Sequence, residues 1–391
     1  MSILLKNACI LTPFGKYNNA ALAISDNGKI SKILDIGVSP VIYDQEYDFG
    51  GKYLIPGLID IHVHGGFGVR FMDQESLTQD LERYAKWVVK HGVTGFLCSV
   101  MCPTKEQLIE AVEKYVAVFE KGSPGAEYLG LHLEGPFLSK KVPGAIDPNW
   151  IRKPDMDEAL ALTSVGKGWI KQITMAPEEI GNLEIAAHFR ENKIKVAIGH
   201  SFADYEISSQ ALRNDFTHVT HTFNGQRGFS HRDPGVVGAV LESEEVTAEL
   251  IADLFHVHPA AINILIACLG ADQIVLITDA MSAAGLSDGT YTMSGRTRIV
   301  KNGQSRTPDG KIAGSTATLD QCMRNIHQVI HQPLEKAVQM ASYNPAKAIK
   351  LENRLGSIRE GKDASLTVLD ADLRVCMTIV NGVIVYKKEC D

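Results

Sequence analysis

The sequence predicts an α/β protein, a TIM-type (β/α)8 barrel with a small β-sandwich domain built from both chain ends. Two observations carry this prediction. Between about residues 57 and 355, eight short β-type runs of the buried kind alternate with helix-type segments. The first fifty or so residues and the last segment contain only short β-type runs, too few at either end to form a stable sheet alone.

The middle of the chain is long enough for a complete barrel, which usually takes ~250 residues. Helical periodicity is clearest in Leu77–His91, Lys105–Lys121, Glu184–Asn192 and Pro259–Leu269. A doubly wound open sheet is the alternative, but no glycine-rich dinucleotide loop follows a first strand. The predicted strands are Leu58–His64, Gly95–Ser99, Tyr128–Glu134, Lys171–Met175, Lys195–His200, His218–His221, Ala248–Ala252 and Gln273–Asp279.

Both ends of the chain carry short β-rich runs joined by turn signals. Asp26-Asn27-Gly28 and Asn381-Gly382 are typical of turns between paired strands. We therefore expect one small β-sandwich domain from residues 1–56 and 358–391, beside a catalytic barrel of residues 57–357. The β-rich runs are Ile3–Thr12, Ala20–Ser25, Ile30–Ile33, Ala364–Leu369 and Cys376–Tyr386.

Composition excludes several classes of partner. A hydrophobic content of 45% and a formal net charge of −7 over 391 residues are ordinary for a globular protein and give no electrostatic case for nucleic acid. No apolar run approaches the ~20 residues that span a bilayer, and we find no signal-peptide pattern. The seven cysteines follow no disulfide framework, so we expect reduced, mostly buried thiols and a cytoplasmic location.

Imidazole and carboxylate groups stand at the ends of five of the eight predicted strands. The first strand ends in His62-Val63-His64, and strand alternation places both imidazoles on one face. Because the carboxyl ends of barrel strands meet at one mouth, we expect all of these groups to converge there. Such ligands suit Zn²⁺ and similar divalent metals. The six residues are His62, His64, Glu134, His200, His221 and Asp279.

Each of these residues also has an ordinary structural explanation. A single strand-end histidine is more often a hydrogen-bonded structural residue than a ligand, and Asp279 could equally cap the next helix. Six such residues at five strand ends are difficult to explain in this way. The pattern therefore favours a metal-dependent hydrolase.

Together with their neighbours, these residues resemble the amidohydrolase superfamily and, within it, the N-acetylglucosamine-6-phosphate deacetylases. The resemblance spans nearly the whole chain, including the small domain from both ends. Its motifs are short individually and specific as a set. They are Pro56-Gly57-Leu58-Ile59-Asp60-Ile61-His62-Val63-His64-Gly65, His132-Leu133-Glu134-Gly135-Pro136-Phe137, Gly199-His200-Ser201, Thr220-His221-Thr222-Phe223-Asn224, Thr278-Asp279-Ala280-Met281, Ile251-Ala252-Asp253, His256-Val257-His258-Pro259, Ala313-Gly314-Ser315 and Asn344-Pro345-Ala346.

The resemblance implies hydrolysis of N-acetyl-D-glucosamine 6-phosphate to D-glucosamine 6-phosphate and acetate, in amino-sugar catabolism or cell-wall sugar recycling. It implies one or two divalent metals per subunit, Zn²⁺ first, with Fe²⁺, Mn²⁺ or Co²⁺ as alternatives. Asp279 would accept a proton from water and return it to the leaving amine, and Glu134 could bridge two metals. The implied ligands are Glu134, His200 and His221 for the main metal and His62 and His64 for a second one, and Asp279 is implied as a further metal-binding residue.

Substrate contacts are also implied by the resemblance. Asn224 and Gly225 correspond to a phosphate site, although Asn-Gly is equally a turn. Arg232 corresponds to an arginine that reaches the phosphate from the neighbouring subunit of a homodimer, although a lone arginine is usually a surface charge. His256 would lie near the sugar hydroxyls or else serve as a capping or core histidine, and Ala145 lies in the loop that follows Glu134.

Two positions depart from the family pattern. Ile146 occupies the place of a histidine that contacts the acetyl carbonyl, and Gln226 stands where methionine is common. These changes leave the metal ligands intact but leave the identity of the substrate sugar undecided. The alternatives are an N-acetylgalactosamine-6-phosphate deacetylase, a cyclic amide hydrolase and a non-catalytic barrel scaffold. The last should have lost ligands, and all six are present.

Overall fold

A computed structural model describes residues 1–34, 42–73, 75–293, 296–310 and 312–389. Most of its secondary structure is an alternation of strands and helices between two sets of terminal strands. The strands are β1 (Ile3–Thr12), β2 (Gly15–Ile24), β3 (Ile30–Leu34), β4 (Gln45–Asp48), β5 (Tyr53–Pro56), β6 (Leu58–Asp60), β7 (Gly65–Gly66), β8 (Val69–Arg70), β9 (Val93–Val100), β10 (Glu127–Glu134), β11 (Ile170–Met175), β12 (Lys195–Ile198), β13 (His218–Val219), β14 (Thr247–Ile251), β15 (Ile274–Ile277), β16 (Gly289–Met293), β17 (Arg296–Lys301), β18 (Gln304–Arg306), β19 (Ile312–Ser315), β20 (Leu366–Leu369), β21 (Val375–Val380) and β22 (Val383–Lys387).

Helices follow most of the barrel strands. The four helices predicted from periodicity are present, and their bounds shift by at most two residues except where α1 continues as a 3₁₀ turn, Val89–His91. A second 3₁₀ turn is Ala271–Gln273. The helices are α1 (Leu77–Val88), α2 (Lys105–Phe119), α3 (Met156–Gly166), α4 (Asn182–Glu191), α5 (Tyr205–Leu212), α6 (Gly235–Glu242), α7 (Pro259–Leu269), α8 (Leu319–Gln328), α9 (Leu334–Ala341) and α10 (Tyr343–Ala348).

The predicted barrel is confirmed. Eight parallel strands lie in the order β15-β14-β13-β12-β11-β10-β9-β6, so each strand pairs with the next one along the chain. Their residues are almost all buried, as expected for a parallel sheet covered by helices. Hydrogen bonds at the strand ends join the first and eighth strands. Asp279 donates its backbone N–H to the His62 carbonyl (2.9 Å), and the Thr278 hydroxyl donates to Asp60 (2.6 Å).

Strands from both chain ends form one further sheet. Its hydrogen-bonded order is β22-β21-β20-β5-β1-β2-β3, with β4 paired to β1. The sheet has a core of its own that includes Leu5, Leu22 and Val368. Threonine hydroxyls attach it to the barrel, because Thr367 donates to the Gly92 carbonyl at 2.8 Å and Thr378 to the Val89 carbonyl at 2.7 Å. The boundaries at residues 56 and 358 stay a prediction.

A four-stranded antiparallel sheet, β16-β17-β18-β19, follows the eighth barrel strand and was not predicted. Asn302 and Gly303 both have positive φ, 52° and 73°, in the turn between β17 and β18. An Asn-Gly pair between β-type runs is the usual signal for such a hairpin. The sequence therefore contains a signal for this insertion, although the alternation of barrel strands and helices does not predict it.

Four of the cysteines, Cys9, Cys98, Cys102 and Cys322, are buried free thiols, and Cys268 is free and exposed. Cys376 is disulfide-bonded, so the expectation of a reduced thiol is wrong at that position. The same expectation for Cys390 lies outside the described residues. In the described part of the chain, no helix is both long and apolar enough to cross a membrane.

Candidate active site

The six strand-end residues lie together at the carboxyl end of the barrel. Their metal-binding atoms form two groups, and within each group every pair of donor atoms lies within 4.8 Å. We call Glu134, His200 and His221 the inner group, because all three side chains are nearly buried. We call His62, His64 and Asp279 the outer group, because His64 and Asp279 remain 23% and 18% exposed.

The inner group is compact. The Oε1 atom of Glu134 lies 3.1 Å from Nε2 of His200 and 3.2 Å from Nε2 of His221, and the two imidazole nitrogens are 3.1 Å apart. The other ring nitrogen of His200, Nδ1, lies 3.1 Å from the Val142 carbonyl. A carbonyl only accepts hydrogen bonds, so this contact places the proton on Nδ1 and leaves Nε2 of His200 able to bind a metal.

The outer group shares Glu134 with the inner group. Nε2 of His62 and Nε2 of His64 are 3.3 Å apart, and they lie 3.6 Å and 3.3 Å from Oδ1 of Asp279. His64 also lies 3.3 Å from Oε2 of Glu134, while His62 lies 3.5 Å from Oε1. The two oxygens of Glu134 therefore face both groups. This arrangement suits a carboxylate that bridges two ions.

The donor spacing fits a divalent metal. In a tetrahedral site with bonds of about 2.0–2.2 Å, neighbouring donor atoms lie roughly 3.3–3.6 Å apart. The distances within the outer group fall in this range, and those in the inner group are slightly shorter, at 3.1–3.2 Å. Four imidazoles and two carboxylates are a donor set that suits Zn²⁺ and similar ions. The cluster can therefore hold a metal ion.

Three of the six residues have left-handed backbone conformations, with φ of 45° at His200, 30° at His221 and 48° at Asp279. Non-glycine residues rarely adopt positive φ, and such conformations concentrate at functional sites. Two glycines allow the loops to approach the imidazoles. A Cβ added at Gly144 or Gly225 would lie 3.0 Å from the ring of His200, closer than nearly all real Cβ contacts.

Opposite charges dominate the electrostatics of the metal-free cluster. Burial opposes ionisation of Asp279, but the neighbouring His62 and His64 imidazoles outweigh it and lower the pKa of Asp279 to about 2. Burial likewise opposes ionisation of Glu134, yet His64 and the other imidazoles hold its pKa well below the usual range. Burial disfavours the charged form of His64, whereas Glu134 and Asp279 raise its pKa to about 9. Both carboxylates are therefore ionised at neutral pH.

Comparison with known proteins decides the family. The family model described as "Amidohydrolase family" matches residues 53–385, which is most of the chain. The chain belongs to the amidohydrolase family. Its match begins in β5, just before the first barrel strand, and ends in the last strand of the terminal sheet.

Characterised relatives of this amidohydrolase are similar over its full length. It is 36% identical to an N-acetylglucosamine-6-phosphate deacetylase of Lysinibacillus sphaericus, over 98% of this chain and 97% of the relative. It is 35% identical to an N-acetylgalactosamine-6-phosphate deacetylase of Escherichia coli O157:H7, over 98% and 99%. The crystal structure of N-acetylglucosamine-6-phosphate deacetylase from Pasteurella multocida superposes with a TM-score of 0.92 at 31% identity, covering 98% and 99% of the two chains.

A cavity of 470 Å³ opens beside the metal cluster of this amidohydrolase. Four of the five expected substrate residues line it, namely Ala145, Asn224, Gly225 and His256. His256 is held by Asp253, whose carboxylate lies 2.6 Å from Nδ1, so Nε2 is the nitrogen left for a ligand. The structure therefore places these four residues in one space with the inner and outer groups.

Arg232, the fifth expected substrate residue, lies elsewhere. It is exposed on a tight turn in which Ser230 and Asp233 exchange backbone hydrogen bonds of 3.0 Å and 3.2 Å. It is not among the described residues that line the cavity of its own chain. Within a single chain, the structure therefore does not bring Arg232 to the site.

The two departures from the family pattern have different surroundings. Ile146 lines the cavity and packs against the apolar cluster of Met101, Leu138 and Ile151. Gln226 is buried and does not line the cavity. It accepts a hydrogen bond from the Phe223 N–H at 3.3 Å and donates to the Thr220 carbonyl at 3.0 Å, so it holds the turn that follows His221.

Two histidines within the quoted motifs serve structural roles. His132 is fully buried, with Nδ1 2.9 Å from the Ser99 hydroxyl and Nε2 2.8 Å from the Thr174 hydroxyl. Both of its ring nitrogens are thus engaged away from the cluster. His258 caps α7, because its Nδ1 accepts the Ala260 N–H at 3.1 Å.

Several cavity residues were missed by the sequence analysis. Arg70 follows the first strand in the β7–β8 pair, while Arg298 and Ile312 come from the four-stranded insertion. Arginines outside a motif usually indicate surface charge, so nothing in the sequence distinguished them. The insertion itself had a signal in its Asn-Gly turn. Predicting that hairpin would have drawn attention to Arg298 on its strand.

Proposed function

We propose that this amidohydrolase removes acetate from N-acetyl-D-glucosamine 6-phosphate to give D-glucosamine 6-phosphate. The observation that carries the proposal is the pair of linked ligand groups at the wall of a cavity, in a chain that matches deacetylases of such sugar phosphates over its full length. A cyclic amide hydrolase and a non-catalytic scaffold are less well supported. The scaffold has no reason to keep all six ligands, and the relatives named above are deacetylases of N-acetylated sugar phosphates.

We assign Glu134, His200 and His221 to the main metal, and His62, His64 and Asp279 to a second one, with Zn²⁺ as the expected ion. When bound, a divalent metal lowers the pKa of water to near 7 and polarises the acetamide carbonyl. The chain's part is to hold the donor atoms in place. The inner-group side chains are less exposed than His64 and Asp279, so we expect the main metal to be held more tightly than the second.

Asp279 is the proposed proton carrier. Its carboxylate lines the cavity and lies 3.3 Å from Nε2 of His64, so it can reach both substrate and water from one position. With a pKa lowered to about 2, it is an acceptor at neutral pH. It would take the proton from the attacking water and later give it to the leaving nitrogen, serving as base and then as acid. An expelled amine needs that proton, because an amide anion is a very poor leaving group.

The remaining substrate groups have candidate partners along the cavity. Gly225 lacks a side chain, so the backbone of the Asn224-Gly225 turn can approach an oxyanion closely. His256 presents Nε2 toward the space for sugar hydroxyls. We propose that Arg232 completes the phosphate site from a second subunit, since it is exposed and outside its own cavity. A guanidinium suits the geometry of phosphate, and this arrangement requires a homodimer.

We also propose the division into a terminal-sheet domain, residues 1–56 and 358–391, and a catalytic barrel, residues 57–357. The terminal sheet has a core of its own that includes Leu5 and Val368, which supports the division, while Leu11 and Val375 of that sheet pack into the core of the barrel. A cytoplasmic location is proposed on the cysteines. Five of them are free thiols in the described part of the chain, as is usual in a reducing compartment, although Cys376 is disulfide-bonded.

The test is acetate release from four sugars, N-acetylglucosamine and N-acetylgalactosamine, each with and without the 6-phosphate. We expect the highest kcat/KM for N-acetylglucosamine 6-phosphate. A higher value for N-acetylgalactosamine 6-phosphate would instead favour the activity of the E. coli relative, an N-acetylgalactosamine-6-phosphate deacetylase. Equal rates with and without the phosphate would contradict the phosphate site, and no acetate from any of the four would contradict deacetylation.

A further inference from the structure

A buried glutamate lies against the cluster without belonging to either ligand group. Glu249 lies on β14, a strand that supplies no ligand to either group, and its side chain is fully buried. A carboxylate inside a barrel is costly unless it is paired. In the described part of the chain, its salt-bridge partners are His62 and His218, and both are histidines rather than permanent cations.

Both carboxylate oxygens of Glu249 accept two hydrogen bonds each. Oε2 lies 2.8 Å from Nδ1 of His62 and accepts the backbone N–H of His221 at 3.1 Å. Oε1 accepts from the Gln172 amide at 2.6 Å and lies 3.1 Å from Nε2 of His218. Four N–H groups therefore converge on one carboxylate, so it acts as an acceptor toward each of them.

The contact with His62 decides which nitrogen of that ring is free. Because Glu249 accepts at Nδ1, one proton stays there, and Nε2 is the nitrogen that can offer a lone pair to a metal. Nε2 is the atom that faces the cluster, 3.3 Å from Nε2 of His64 and 3.6 Å from Oδ1 of Asp279. A carboxylate behind a ligating imidazole also raises its basicity toward a metal.

The other hydrogen bond to Oε2 of Glu249 comes from His221 of the inner group. His221 has an unusual backbone, with φ of 30°, and its N–H is fixed by Glu249. One carboxylate oxygen therefore touches a residue from each group, on strands that are not neighbours in the barrel.

We propose that Glu249 is the positioning residue of the metal cluster, which fixes His62 for coordination through Nε2 and ties the outer group to the inner one. This inference rests on the assignment of His62 and His221 as ligands under the proposed function. It adds a residue that touches neither substrate nor metal. Its effect should therefore be seen in metal affinity itself.

The test is zinc binding, measured without substrate by equilibrium dialysis against a competing chelator, for wild type, Glu249→Gln and the matched control His218→Gln. Both variants alter the same buried network, but only the first removes the carboxylate behind His62. We expect Glu249→Gln to weaken the outer zinc ~10–100-fold, the usual cost of losing such a supporting carboxylate. His218→Gln should leave that affinity within about threefold of wild type, because its partner oxygen is not the one that His62 uses.

A second comparison separates positioning from general destabilisation. In a His62→Gln background, Glu249→Gln should cause no further loss of outer-site affinity, because the residue through which it acts is gone. Wild-type zinc affinity in Glu249→Gln, or an equal loss in His218→Gln, would overturn the proposal. These readouts need no acetate release, so failure of the deacetylase assignment would be recognised separately by the sugar panel.

Should Glu249→Gln not fold, a crystal structure of zinc-loaded wild-type protein decides the matter. We expect zinc on Nε2 of His62, with Nδ1 in hydrogen-bond contact with Glu249. Coordination through Nδ1, or a Glu249 side chain turned away from the ring, would overturn the proposal.

Discussion

The metal cluster and the substrate wall share one cavity but are built differently. The cluster residues stand at or just after strand ends, contact one another and are largely buried. The wall comes from loops and from the insertion after the eighth strand, and Ala145 is exposed while Ile146 is half-buried. A sheet fixes the positions of its strand ends, whereas loops can change without disturbing it. The comparison indicates that chemistry is set by the barrel and substrate choice by the loops.

The largest expected effect lies in the cluster. Asp279→Asn keeps an oxygen and the shape of the side chain but removes the proton acceptor. We expect kcat to fall ~10²–10⁴-fold, the usual contribution of general acid–base catalysis, while the main metal is retained. Turnover and metal content should be measured on the same preparation. A kcat near that of wild type would contradict the role of Asp279.

The second effect in size is a loss of metal affinity in the outer group at low pH. His64 has a pKa raised to about 9 in the metal-free protein, so it is protonated at neutral pH and must lose its proton to bind a metal. The apparent affinity of the outer group should therefore fall at least roughly tenfold per pH unit below 9, or at least ~100-fold between pH 8 and pH 6, because, against the effect of burial, Glu249 and Asp279 also raise the pKa of His62. Zinc titrations across this range should also detect proton release. An affinity that is independent of pH would contradict coordination by His64.

The substrate wall should respond through KM. Arg232→Ala removes a charge-assisted contact with phosphate, and we expect KM for the 6-phosphate substrate to rise ~10–100-fold with little change in metal content. The unphosphorylated sugar serves as the control and should be unaffected. Equal effects on both sugars would place Arg232 outside the phosphate site.

The smallest expected effect is at Ile146. If the bound metal polarises the acetyl carbonyl, Ile146→His should change kcat/KM less than tenfold, and it should slightly lower Tm because the side chain packs on Met101, Leu138 and Ile151. Activity and thermal melting measure the two effects. A ~100-fold or larger gain in kcat/KM would show that the acetyl carbonyl of the substrate lacks a hydrogen-bond partner in the wild-type protein, because leaving a polar group unpaired typically costs this much.

The barrel and the convergence of its strand ends could be predicted because both follow from local patterns. Runs such as the one that forms β15 are apolar throughout, and parallel strands carry their final residues to one mouth. Five of the eight barrel strands nonetheless end earlier than predicted. The first ends at Asp60 rather than His64, because the residues beyond it leave the ladder to aim their side chains at the cluster.

Features that lie on loops were harder to predict from the sequence. The position of Arg298 at the cavity depends on how the four-stranded insertion packs against the barrel. Arg232 lies away from the cavity of its own chain because of the direction of a tight turn, and residue spacing does not predict that direction. Glu249 was different. It is a charged residue within a predicted buried strand, Ala248–Ala252, and an unexplained buried charge is itself a signal.

The proposed reaction requires a bound metal, and reconstitution of metal-free protein tests this requirement. Chelator-treated protein should release no acetate from N-acetylglucosamine 6-phosphate, and stepwise addition of Zn²⁺ should restore activity in proportion to metal bound, up to one or two ions per chain. Folding of the metal-free protein should be checked by circular dichroism. Full acetate release from folded protein that contains no detectable metal would contradict the account.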